Sequence, residues 1–409
     1  MKKRIILSLL AVSSLFADAE MDAIKEQLQV QKEATQNLET QLNRLEQKNT
    51  NQSASFSQNA YLPDMAFVLN MSAVARDVNN DDYASFEIPG FINNPTNNPD
   101  DNPDLPFNAN RGFNFNYAEV ALHSIVDPYF EAFAIFHISP DELEIEEAYV
   151  QTTSLPYSLR LKAGKFRSNF GRLNEKHHHV WNFDSQPLIY KGLFGPDMIS
   201  DAGVQLQWVA PTDTYLMFGG EAMQGGNERS FGDSSKNNLY IGYIKSSIDV
   251  GDDLSILGGL SYAHGKNTTD NDTDIYGVDL TLREQLGSYS SFVWQSEYLH
   301  RDKKLIGEKD KQAGLYSEIV YQHNNNYSFG ARYDLITKND TDLSMFNGVN
   351  TDNLDRYTID MDYKPFPMSR LRLSYTYDRS KIIAGERKDI NEVMLSLNIA
   401  AGAHGAHDY

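Results

Sequence analysis

The stretch that decides the fold lies late in the chain. It runs Arg356-Tyr357-Thr358-Ile359-Asp360-Met361-Asp362-Tyr363, turns at Lys364-Pro365-Phe366-Pro367, and returns as Arg370-Leu371-Arg372-Leu373-Ser374-Tyr375-Thr376-Tyr377. Tyr357, Ile359, Met361 and Tyr363 alternate with Arg356, Thr358, Asp360 and Asp362. Leu371, Leu373, Tyr375 and Tyr377 alternate with Arg370, Arg372, Ser374 and Thr376. A period of two puts each set on its own face of a strand. Just upstream, Phe329, Ala331, Tyr333 and Leu335 oppose Ser328, Gly330, Arg332 and Asp334 in the same way. In a soluble sandwich the apolar faces would meet a second sheet. Here each run has about the length that crosses a bilayer at a tilt, and the opposite face carries full charges. That is the pattern of an antiparallel transmembrane β-barrel with lipid outside and water inside.

Working outward, alternation and turn residues place strands near 65–76, 112–123, 129–138, 144–153, 158–167, 200–210, 214–224, 238–248, 253–264, 273–284, 290–301, 312–322, 327–336, 354–363, 369–378 and 390–399. The total of sixteen is even, as single-chain bacterial barrels require. Short turns, such as Asp127-Pro128 and Val250-Gly251-Asp252, alternate with longer segments at 77–111, 139–143, 168–199, 225–237, 265–272, 302–311, 337–353 and 379–389. Seven turns and eight loops fit sixteen strands with both termini in the periplasm and the loops outside. The first loop is rich in Asn, Asp and Pro and reads as irregular and solvent-exposed.

Residues 1–19 read as a signal peptide: a basic start, an apolar run from Ile5 to Phe16, and Ala17-Asp18-Ala19 as a cleavage site. In residues 20–50, Met21, Ile24, Leu28, Gln31, Thr35, Leu38, Leu42 and Leu45 are spaced as the a and d positions of a coiled coil. Self-association, most simply as a parallel trimer, is the favoured reading. A single helix lying on its own barrel is the alternative. A polar linker, 51–64, leads to the barrel, 65–400, and a His-containing tail, 401–409.

The chain has no cysteine, which excludes disulfides, thiolate zinc sites and a cysteine nucleophile. Its residues are polar on average, yet they include 23 Tyr and 21 Phe, as suits strands that are half lipid-facing with aromatic girdles. A net charge of −20 argues against a nucleic-acid partner. No G-x-S-x-G, H-E-x-x-H or phosphate-cradling glycine loop points to an enzyme.

A sixteen-stranded barrel holds an aqueous channel unless something narrows it. The segment 168–199 is too apolar for a loop waving in water, and it is the candidate constriction. Its candidate residues are His177, His178, His179, Trp181, Phe183 and Asp184. Alternation assigns the lumen Glu119, Glu131, Glu147, Asp279, Glu297, Glu318, Asp334, Asp360 and Asp362 on the acidic side. On the basic side it assigns Arg160, Lys162, Arg283, Arg332, Arg356, Arg370 and Arg372. Separated acidic and basic walls would set up a transverse field; simple wetting and wall ion pairs are the alternative. The imidazoles also invite a zinc reading, with His177, His179 and Asp184 as one ligand set and His404 and His407 as another. Packing and hydrogen bonding are the plainer uses of the same histidines.

Glu146-Glu147-Ala148-Tyr149-Val150-Gln151, Leu161-Lys162-Ala163-Gly164-Lys165-Phe166, Phe170-Gly171-Arg172 and Gly203-Val204-Gln205-Leu206-Gln207-Trp208 together resemble the phosphate-selective porin O and P family, over roughly residues 112–211. That resemblance implies a sixteen-stranded trimeric channel with an N-terminal periplasmic segment. Asn174, His177, His179 and Trp181, with the His404-Gly405-Ala406-His407 tail, are also similar to outer-membrane proteins labelled zinc-regulated receptors, which implies a link to metal supply. The expectation is an outer-membrane porin, not an enzyme, that is homotrimeric in lipid and passes small hydrophilic solutes or ions. The alternatives are a zinc-linked uptake protein and a structural tether that reaches the cell wall through its coiled coil.

Overall fold

The computed structural model describes residues 63–93, 102–139, 142–232 and 239–402. The chain divides into Met1–Leu62 and Pro63–Tyr409, and all that follows concerns the second unit. The expected signal peptide, coiled coil and His404/His407 pair lie outside the described residues.

Sixteen strands form. They are β1 Asp64–Arg76, β2 Gly112–Asp127, β3 Phe130–Ile138, β4 Leu143–Thr152, β5 Leu159–Arg167, β6 Ser200–Val209, β7 Tyr215–Met223 and β8 Leu239–Val250, followed by β9 Leu254–Lys266, β10 Asp272–Gln285, β11 Ser291–Lys304, β12 Lys309–Gln322, β13 Tyr327–Asp340, β14 Asp355–Tyr363, β15 Ser369–Ile383 and β16 Glu386–Gly402. Each pairs antiparallel with its neighbours in sequence, and β1 closes on β16 with Leu69 opposite Ile399. Closure leaves none of these strands with an unpaired edge, which is what a sheet in lipid requires.

The late strands run further toward the loop end than alternation alone suggested. The expected loop 379–389 is a hairpin whose turn is Ala384-Gly385, both at positive φ (52° and 74°), with Ile383 paired to Glu386. Two consecutive left-handed residues make the turn whose twist matches a hairpin. The expected loop 302–311 shrinks to the four residues between Lys304 and Lys309. Cross-strand ion pairs carry this second extension, among them Lys309 to Asp302 at 3.0 Å and Lys304 to Asp272 at 3.1 Å. A charged run that reads as loop is therefore strand, because its charges pair across the ladder.

Outward faces carry exposed Val278, Leu280, Ile319, Ile359, Leu373 and Leu395. Tyrosines flank this aliphatic band as cross-strand pairs. Tyr262–Tyr276 and Tyr333–Tyr357 lie toward the loop end, with ring centroids 5.1 and 4.8 Å apart, and Tyr327–Tyr363 lies toward the turn end at 5.1 Å. Amphipathic rings at both borders of an apolar band are the girdles of a membrane barrel.

The apolar core lies inside the barrel. The first loop reads from its composition as solvent-exposed, but its described residues, 77–93 and 102–111, include a buried apolar set. Tyr83, Phe86, Ile88, Phe91, Ile92 and Leu105 are buried with Leu188, Ile189, Leu193 and Phe194 of the third loop. Between its polar residues this loop carries enough apolar surface to fold inward. Its backbone is also taken up by the wall. Glu87 and Ile382 exchange hydrogen bonds at 2.8 and 2.9 Å, and the Gly90 and Pro89 carbonyls accept from Gln312 and Asn339.

Gly164 in β5 has φ +139°, and a Cβ there would meet the Ala148 carbonyl oxygen at 2.2 Å; a Cβ at Gly242 would meet nothing. Gly164→Ala is expected to cost about 1–3 kcal/mol by overpacking, and Gly242→Ala close to nothing. The check is the temperature at which the folded, compact band on denaturing gels converts to the unfolded one.

Candidate functional site

The third loop, between β5 and β6, lies in the lumen. Its base is sealed by its own backbone. Ser168 N–H donates to the Ile199 carbonyl at 2.9 Å, and Asn174 bridges the same two segments with its side-chain amide. Inside this closed base come a 3₁₀ turn at His178–Val180 and a short helix, α1, over Leu188–Phe194. Gly171 (φ +63°) lets the chain pass the wall: a Cβ there would sit 2.3 Å from Glu297 Oε1 and 2.5 Å from the Tyr190 hydroxyl.

The wall holds the loop through charged side chains, several of which reach loop backbone. Glu297 accepts from the Arg172 N–H (2.6 Å), the Tyr190 hydroxyl (2.9 Å) and the Tyr316 hydroxyl (2.6 Å). Arg332 donates to the Ser185 carbonyl at 2.7 Å and Arg356 to the Gln186 carbonyl at 2.6 Å, while Asp334 joins both guanidiniums and accepts from Leu188 N–H. Arg370 donates to the carbonyls of His179 and Trp181. Arg372 is held by Asp362 in two hydrogen bonds, at 2.6 and 2.9 Å, and reaches Asp184, which also accepts from Ser396 at 2.6 Å. Glu318 accepts from Asn182. Guanidiniums suit this work because they donate in several directions and stay charged when buried.

The three histidines have three different roles. His177 Nε2 lies 2.8 Å from Glu147, while its Nδ1 lies 3.2 Å from Glu146 and 3.6 Å from Glu119. Burial works against charge there, but the carboxylates outweigh it and hold the His177 pKa well above that of an ordinary histidine. His178 stacks on Phe107 (4.5 Å), meets the Tyr117 hydroxyl through Nδ1 and donates from Nε2 to the Asp184 carbonyl. Burial lowers its pKa to about 4, so it is neutral at pH 7. His179 Nδ1 sits 3.2 Å from Glu119.

The expected ligand set of His177, His179 and Asp184 does not assemble. Asp184 is taken by Ser396 and Arg372, and both histidines turn to the opposite side, toward Glu119. Separated acidic and basic walls do not form on β13–β15 either. There Asp334, Asp360 and Asp362 alternate in contact with Arg332, Arg356 and Arg372.

The loop separates two spaces that share no lining residue. A chamber of about 1170 Å³ lies toward the turn end, and a pocket of about 100 Å³ toward the loop end. Along one segment, His179, Val180 and Asn182 line the chamber, while Trp181, Asp184 and Ser185 line the pocket. The partition is thus one chain thick. Phe183 is buried beneath the Arg332 guanidinium and faces neither space. Nine Arg and Lys line the chamber against five Asp and Glu, among them Arg160, Lys162, Arg283, Arg370 and Arg372, with Glu131 on the acidic side. Asp279 is buried and lines neither space. The pocket holds Arg76, Lys191, Arg356 and Lys381 beside four carboxylates. Burial, with Lys381 nearby, lowers the Lys191 pKa to about 7.

Sequence reasoning did not name Glu146, Arg167, Ser396, Glu221, which accepts from the Ser168 hydroxyl and the Asn169 N–H, or Lys364, which lines the chamber. Alternation sends Glu146 to the lipid face. A bulge opposite Ile135–Phe136, where Glu147 and Ile145 take consecutive partners and Glu146 none, brings it in beside Glu147. The doubled acid Glu146-Glu147 was the available signal.

The chain belongs to one family with an uncharacterized protein of Aquifex aeolicus, to which it is 38% identical over 391 residues, 88% of this chain and 82% of that one. No protein-family profile matches it. Among solved structures it is similar to the outer membrane channel DcaP of Acinetobacter baumannii (TM-score 0.55, 12% identity, 84% of this chain and 99% of that one). It is also similar to an anion-selective porin from Comamonas acidovorans (TM-score 0.55, 10% identity, 83% and 99%) and to the trimer form of OmpT of Vibrio cholerae (TM-score 0.50, 10% identity, 83% and 99%). The fold is that of the outer-membrane porins, which are channels rather than enzymes.

Arg372→Gln leaves Asp184, Asp360 and Asp362 without their shared cation. The expected loss is about 3–5 kcal/mol, the usual penalty for breaking a buried ion pair from one side. Ser396→Ala, which removes one hydrogen bond, is expected to lose about 1 kcal/mol. Urea unfolding followed by Trp fluorescence measures both.

Proposed function

We propose that the protein is an outer-membrane porin that passes small hydrophilic solutes by diffusion, prefers anions, and is narrowed by the loop 168–199. The observation that carries the anion preference is the chamber lining. A chain with a net charge of −20 nevertheless surrounds this chamber of about 1170 Å³ with nine cationic side chains and five anionic ones. Charges facing a confined space between low-dielectric walls act on a passing ion far more strongly than charges on the outer surface.

The route follows β14–β16 and the adjoining β1. Arg370 and Arg372 stand on its chamber side, and Arg356, Arg76 and Lys381 on its pocket side, so an anion meets a cation at each step. The segment Trp181–Asp184 crosses this route and sets its width. Both termini are periplasmic in this reading, and the long loops face outward. The porin from Comamonas acidovorans, described as anion-selective, supports the solute class. The trimer form of the Vibrio protein supports trimeric assembly.

The reversal potential of purified protein in a planar bilayer under a KCl gradient tests this directly. The expected sign is that of chloride preference; potassium preference contradicts the reading. Arg160→Glu combined with Lys162→Glu alters the chamber without touching the groups that hold the loop, and is expected to shift the potential toward cations. Trp181→Ala is expected to raise single-channel conductance.

A further inference from the structure

We propose that Glu119, Glu146 and His177 form a binding site for one divalent transition-metal cation, which ties the third loop to the barrel wall. One carboxylate oxygen from each glutamate and one ring nitrogen of His177 lie within 4.8 Å of one another. From Nδ1 the distances are 3.2 Å to Glu146 and 3.6 Å to Glu119. A tetrahedral ion bound at about 2.1 Å has donors about 3.4 Å apart, so these separations bracket the required spacing.

Three independent features mark the group as a site and not a chance acidic patch. The first is the orientation of the imidazole. His177 Nε2 meets Glu147 at 2.8 Å, which holds the ring so that Nδ1 is directed at Glu146 and Glu119, where a metal ion would take the place of the Nδ1 proton. A carboxylate on the far nitrogen of a ligating histidine is the usual outer support of a metal site. The second is Glu119, which is 2% exposed and has an oxygen, Oε1, with no hydrogen-bond donor. A buried carboxylate oxygen left in that state is costly unless something else occupies it. The third is charge. Glu119, Glu146 and Glu147 face one contacting guanidinium, that of Arg167 on Glu146. Three carboxylates against one guanidinium leave two negative charges, which a doubly charged cation balances.

The donor set chooses among ions. Imidazole nitrogen with two carboxylates suits zinc and its neighbours better than calcium or magnesium, which favour all-oxygen shells. His179 Nδ1, 3.2 Å from Glu119, stands where a fourth ligand would come. His179 and Glu147 also line the chamber, so an ion has a way in. The glutamates come from β2 and β4 and the histidine from the loop, so the bound ion would bridge wall and loop.

The test is zinc content and affinity of the detergent-purified full chain, without an affinity tag, stripped with EDTA and then titrated with Zn²⁺. One zinc per chain is expected, retained through desalting and unchanged in a His404→Gln, His407→Gln variant. His177→Gln should abolish it, and Glu147→Gln should weaken it about 10–100-fold as the loss of an outer support does. Glu147→Gln keeps the test intact if His177→Gln does not fold. Absence of stoichiometric zinc, binding that survives both substitutions, or binding that disappears with the tail histidines would overturn the site. The readout is independent of conduction, so its failure leaves the porin reading standing, and the reverse also holds.

Discussion

A charge that faces the inside of a narrow barrel and is cut off from water has to find a partner. This protein is organised around that constraint. Arg332, Arg356, Arg370 and Arg372 are all buried or nearly so, and each gives hydrogen bonds to the third loop. The loop in turn needs donors for carbonyls that a buried, irregular backbone cannot satisfy itself. Wall and loop therefore solve each other's problem, and removing either side leaves the other with unpaired polar groups.

The sequence makes the strands legible for a simple reason. A strand between lipid and a polar interior must alternate, and Tyr357, Ile359 and Met361 against Arg356, Thr358 and Asp360 do so without interruption. The same alternation identifies Glu297, Asp334 and Arg372 as inward-facing. It fails where pairing is irregular or where loops are packed. Glu146 is hidden by a bulge, and a bulge leaves no mark in a period of two. The first loop is hidden by its own Asn, Asp and Pro, which outnumber the residues that bury it, Phe86, Ile88 and Ile92. The hairpin at Ala384-Gly385 is hidden because Glu386-Arg387-Lys388-Asp389 reads as a charged loop, although its backbone continues the ladder with Ile382 opposite Arg387 and Ile383 opposite Glu386. Asp184 is a partner problem. Sequence places it near the histidines, but only the fold shows that Arg372 and Ser396 reach it first.

The partition has a functional consequence. The chain carries a net charge of −20, whereas nine cationic and five anionic side chains line the chamber. The two have opposite sign. Alternation reads the lumen charges as mixed, and the arrangement of side chains makes the chamber lining basic on balance. The loop that divides the lumen also decides how much of that basic lining is available, because arginines that hold the loop have less field to spare for a passing ion than Arg160, Lys162 or Arg283.

Seating of the loop against the wall is the central claim, and a cysteine-free chain allows it to be tested by cross-linking. Asp184 and Ser396 touch at 2.6 Å across the loop–wall contact. In the Asp184→Cys, Ser396→Cys double variant, mild oxidation in native membranes should form a disulfide rapidly and nearly completely, and single-channel conductance should be the same before and after. Failure of the two cysteines to join, or a disulfide that closes an otherwise open channel, would show that the loop rests elsewhere when the protein conducts.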